Sequence, residues 1–87
     1  MTHEWTWEYD PDAEHVIGGL PPEAVNEVAR IADSLAVLGR DTAHVGRGPA
    51  HGGGLRSVDL AEGRGFLLFM ADARAQLVVV VRVIWHG

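Results

Sequence analysis

The chain has no cysteine, which excludes a disulfide framework and any thiolate metal site. It has no lysine either, so all seven basic residues are arginines. Codon usage in a GC-rich genome accounts for that on its own, and the planar guanidinium also suits bidentate phosphate contacts. Long apolar runs are missing too: Phe66 to Met70 and Leu77 to Val81 are far too short to span a bilayer. Histidines at positions 3, 15, 44, 51 and 86 form no HxH or HxxxH pair, so no metal motif is evident. The opening MTHEWTWEYD carries acids and no apolar core, unlike a secretory signal. A cytoplasmic domain without membrane contact, metal or cofactor is the expectation.

What remains is enough for one domain spanning residues 1–87. At this length only about 60–65% of the unfolded surface becomes buried, so a partner or a second copy is expected to add stability. Apolar residues make up 47% of the chain, which favours a globular fold over disorder. The net charge of −5 argues against nucleic acid when taken whole. Its distribution is uneven: residues 1–41 hold nine acids and two arginines, and residues 42–87 hold three acids and five arginines. Such asymmetry bears on a binding face more than the total does.

Segment by segment, Trp5, Trp7 and Tyr9 alternate with Glu4, Thr6 and Glu8 as a half-buried strand requires. Asp10 and Pro11 then read as the cap and first position of a short helix, ended by Gly18 and Gly19. A second helix starts at Leu20-Pro21-Pro22. Val25, Val28, Ile31, Ala32, Leu35 and Leu38 form its apolar stripe, and Gly39 marks its end. Residues 39–54 read as a glycine-rich surface loop whose Arg40 and Arg47 could reach a polyanion. A nucleotide-binding loop is not expected there, because a helix precedes it and a strand follows, the reverse of the phosphate-loop order.

The last third reads as a three-stranded meander, GGGLRSVDL, GFLLFM and LVVVVRVIW. Ala61 to Gly65 makes the first hairpin, with glycines for positive φ, and Asp72 to Ala75 the second. Phe66 to Met70 and Leu77 to Val81 are apolar at every position, where a sheet with one wet face should alternate. Two helices can cover only one side of four strands, so the other side is expected to meet a partner. Unbroken alternation would put Arg82, Ile84 and His86 on one face with Val78 and Val80. There Arg82 could pair with Asp59 or Asp72, or serve a site.

The ordered set WEYDPDAE, LPPEAVNEVARIADSL, GGGLRSVDL, GFLLFMAD and LVVVVRVIWHG resembles the RelE/ParE superfamily of bacterial toxin–antitoxin toxins. The resemblance covers nearly the whole chain and implies an α+β fold of order β-α-α-β-β-β, with two helices on one face of a small, mainly antiparallel sheet. It implies a toxin that resembles ribosome-dependent mRNA endoribonucleases, metal-independent and free of cofactors. In those proteins the 2′-hydroxyl attacks the adjacent phosphate. By position, Arg56, Arg82 and His86 would be the catalytic set, with His86 protonating the 5′-oxygen and the arginines meeting charge on the phosphorane. Arg64 and Arg47 would bind substrate; the family's strand-three arginine aligns with Phe66, leaving Arg64, two residues earlier, as the substitute. Arg56, Arg82 and His86 would converge on one concave face, with Arg64 at its edge. The alternative is a non-enzymatic binding module on the same fold, either a gyrase-directed ParE-like toxin or a protein that only binds its partner. An antitoxin or a second copy is the expected protein partner, with the ribosome and messenger RNA added under the enzyme reading.

Overall fold

A computed structural model describes residues 4–87, so His3 lies outside the described residues. The order is β1 (Thr6–Tyr9), α1 (Ala13–Ile17), α2 (Pro22–Leu38), a 3-10 turn (Gly39–His44), β2 (Arg56–Leu60), β3 (Gly65–Asp72) and β4 (Leu77–Trp85). The strands form one mixed sheet ordered β1-β4-β3-β2. β1 runs parallel to β4, while β4 with β3 and β3 with β2 are antiparallel. Both helices pack on one side of it. The α+β expectation and its element order are therefore met.

Local chemistry sets the element ends. The helix begins only at Ala13, so Asp10, whose backbone N–H still donates to Val80 in the sheet, lies too far upstream to cap α1. Asp12 takes that place, its carboxylate accepting from the backbone N–H of His15 at 2.9 Å. Pro21 and Pro22 open α2 as read. Its buried line is Ala24, Val28, Ala32 and Leu35, recurring every three or four residues. Leu38 falls off that line and is 47% exposed, a correction to the stripe read from the sequence. Gly39 adopts a φ of +59°, and a Cβ there would press on the Trp5 indole at 3.2 Å. The chain then makes the 3-10 turn, where the expectation was an irregular loop. Thr42, fully buried, ties that turn back by donating its hydroxyl proton to the Leu35 carbonyl.

In the first hairpin the positive φ angles fall on Ala61, Glu62 and Gly63. Gly65 is already in β3, so the assignment of both loop glycines to positive φ is corrected. In the second hairpin the Asp72 carboxylate accepts from the backbone N–H groups of Arg74 and Ala75. The core joins α1 and α2 to the sheet through Val16, Val28, Leu35, Leu60, Leu67, Phe69, Val78, Val80 and Val83. Trp5, Trp7 and Tyr9 pack at its margin, and Trp7 and Tyr9 meet edge to face at 5.0 Å. No described helix is long and apolar enough to cross a membrane.

Candidate functional site

One irregularity decides which side chains share a face. In the β3–β4 ladder Leu68 pairs with Arg82, but the next residue, Phe69, pairs with Val80. Val81 is the extra residue of a β-bulge, and it shifts the phase of the strand. Val78, Val80 and Val83 consequently all face the helices and are buried, while Arg82 is exposed on the opposite side. The unbroken alternation read from the sequence placed Arg82 with Val78 and Val80, and the bulge reverses that. Arg82, Ile84 and His86 do share a face, and their companions are Val79, Met70, Leu68 and Phe66.

This open face has no helix over it. Met70 is 45% exposed, and Phe66, Leu68, Val79 and Ile84 are half-buried. Arg82 makes no hydrogen bond or ion pair among the described residues. Asp59 instead lies 3.8 Å from Arg47, and Asp72 holds its own turn, so neither acid neutralises Arg82. Arg47 reaches the face through an isolated bridge to Ser57. The registers place Arg47, Ser57, Leu68 and Arg82 in one row across the sheet. At ordinary strand spacing the ends of that row are about 14 Å apart. His86 extends β4 by donating its N–H to Arg64 at 2.8 Å, and its ring centroid lies 6.5 Å from that of Phe66.

Arg56 stands elsewhere. It lies on the helix side of β2 and is only 6% exposed. Its guanidinium donates to the carbonyls of Val45 (2.7 Å), Pro49 (3.0 Å), Gly53 (3.4 Å) and Gly46 (3.3 Å). The loop wraps this tightly because Gly46 lacks a side chain; a Cβ there would sit 2.1 Å from the Ser57 carbonyl oxygen. Arg56 is therefore the pin of the loop, with its donors turned inward. Arg64 is likewise turned to the helix side, paired with Glu23 at 3.1 Å and stacked 5.0 Å from the Trp85 ring centroid.

The four arginines and one histidine singled out by sequence thus split. Arg47, Arg82 and His86 lie on the open face, whereas Arg56 and Arg64 lie on the other side, and the expected convergence of Arg56 and Arg64 with Arg82 and His86 does not occur. Ser57, Leu68, Val79 and Ile84 were not singled out, because their placement depends on the bulge and the register. Near Arg64, Glu27 joins α2 to the first hairpin. Hydrogen bonding by Arg30, helped by the N–H of Ala61 at 3.0 Å, holds its carboxyl below the ordinary range, and the same pair raises Arg30. Among the described residues no three His, Asp or Glu side chains gather to hold a metal. Comparison with protein-family profiles, curated proteins and solved structures finds no match.

Proposed function

We propose that the chain is a protein-binding module of the RelE/ParE-like kind, the toxin-side member of a toxin–antitoxin pair, and that the open sheet face is where its partner docks. The observation that carries this reading is an uncovered apolar surface, Phe66, Leu68, Met70, Val79 and Ile84, with an unpaired arginine, Arg82, among them. Contiguous exposed apolar area of this kind marks interaction sites. Arg82 and His86 add a preference for a segment that carries carboxylates beside its apolar residues. Coexpression with the product of the adjacent gene, followed by gel filtration, tests the reading. A stable complex that Leu68→Asp abolishes is expected. Failure of every neighbouring product to bind would remove the toxin–antitoxin assignment.

The enzyme reading is kept as a second one because Arg82 and His86 are both exposed on the same face. On this reading the 2′-oxygen bonds to phosphorus and gives its proton to water as the P–O5′ bond breaks, His86 protonates the leaving 5′-oxygen, and Arg82 meets the charge on the phosphorane. Arg56 is buried and commits four of its five N–H donors to loop carbonyls, which is why binding ranks ahead of catalysis. Expression in bacteria separates the two. A ribonuclease arrests growth and cuts messenger RNA, and Arg82→Ala and His86→Ala each relieve it by about 10²–10³-fold in rate. Intact messenger in arrested cells would leave binding alone.

A further inference from the structure

A second surface lies at the other end of the sheet and is independent of the open face. β1 is an edge strand, hydrogen-bonded to β4 alone. The N–H groups of Thr6 and Asp10 donate to Gln76 and Val80, at 3.1 Å each. In a parallel pair, successive residues turn their N–H and C=O groups to opposite edges, so those of Trp7 point away from the sheet. Beside this edge runs a groove of about 800 Å³. Trp5 and Trp7 form its floor, Ala36 and Val37 of α2 form its wall, and Glu4 and Asp33 stand at its rim. Val37 is 86% exposed although it is apolar. Trp7 is held in place by an indole N–H donated to Asp33 at 2.8 Å.

The geometry points to a site for strand addition, where an extended basic peptide from another protein pairs with the outer edge of β1. Main-chain bonds to Trp7 would supply affinity, and alternate apolar side chains would enter the groove against Trp5, Trp7 and Val37. The intervening side chains would rise on the other side of the sheet, beside exposed Glu8. Lysine or arginine at those positions meets Glu8 and, toward the start of the strand, Glu4. Among the described residues no cation lines the groove. The same charges exclude a second copy: antiparallel pairing of β1 with itself would set the Glu4, Glu8 and Asp10 side of one strand against that of the other, and like charges across strands are unfavourable.

The test is a titration of the full chain, followed by backbone amide shifts, with a synthetic peptide of about ten residues alternating valine and lysine. Shifts at Trp5 to Tyr9 and at Ala36 to Gly39 are expected, with binding that weakens as salt rises. A valine–glutamate peptide should not bind. Val37→Arg, at a position exposed enough to spare the fold, should weaken binding by about tenfold or more. N-methylation of the peptide on its β1-facing edge should abolish it, because the added strand loses its donors. Shifts centred on Leu68 and Arg82 would overturn the proposal, as would equal binding of the glutamate or N-methylated peptide. So would binding weaker than about 1 mM for the valine–lysine peptide.

Discussion

A guanidinium that is 6% exposed and commits four of its five N–H donors to loop carbonyls has little to offer a phosphate, and Arg56 is in that position. Its position on a strand and its charge were legible in the sequence. Its engagement with Val45, Gly46, Pro49 and Gly53 was not, because it depends on a glycine-rich loop folding back by way of left-handed residues. Arg56→Met should cost about 2–4 kcal/mol in denaturant unfolding, since buried carbonyls lose their donors. Arg56→Lys should recover little of it, because an ammonium cannot span the same fork. Glu27 gives a pH signature. Its carboxyl is held below the ordinary value of 4.5 by Arg30 and the Ala61 N–H. A depressed acid stabilises the fold fully above that value and loses its contribution as pH falls through the lower, folded one. Thermal melts should therefore show wild type above Glu27→Gln near neutrality, with the gap closing on acidification below pH 4.5. A gap that does not change with pH would mean that the carboxylate charge is irrelevant there.

At the scale of elements, most of the fold could be read from pattern. The proline pair at the head of α2, the aromatic alternation of β1 and the bounds of β4 all correspond to what formed. Phase was harder to read. A bulge has no residue signature of its own, so Val81 looked like any other valine in LVVVVRVIW, and the faces beyond it were inverted. Two substitutions report the phase directly. Val83→Ala removes a side chain only 9% exposed and should cost about 1–3 kcal/mol. Arg82→Ala, on the exposed side, should stay within about 0.5 kcal/mol of wild type. The opposite ranking in chemical denaturation would mean that the strand runs without its bulge. Leu35→Ala, on the line of α2 that meets the sheet, should cost about 2–5 kcal/mol in the same assay.

For the whole molecule, part of the charge split along the chain becomes a split across the sheet. Three acids of the first half, Glu4, Glu8 and Asp10, lie at the β1 edge, and Arg47 stands beyond β2 at the far side. The apolar open face lies between them. In the absence of a partner that face should self-associate, so sedimentation of the pure chain should show association that rises with concentration and disappears in Leu68→Asp. A monomer at every concentration would show that the open face needs a different occupant. An apolar second face was visible in strands that never alternate. Which side chains line it was not, because cross-strand rows such as Arg47-Ser57-Leu68-Arg82 exist only once registers are set.

The parallel contact between β1 and β4, pairing Thr6 with Leu77, also has a kinetic consequence. The meander from β2 to β4 closes through two short hairpins, whereas docking β1 closes nearly the whole chain into a loop, and non-local closure of that kind is slow. The acidic strand should then zip on after the three others and be the first to peel away, as a local opening below the global unfolding free energy. During such openings the outer backbone of β4 at Val78 and Val80 is bared. The edge strand thus shields the most aggregation-prone valine run of the protein, and its detachment sets how long that run is exposed.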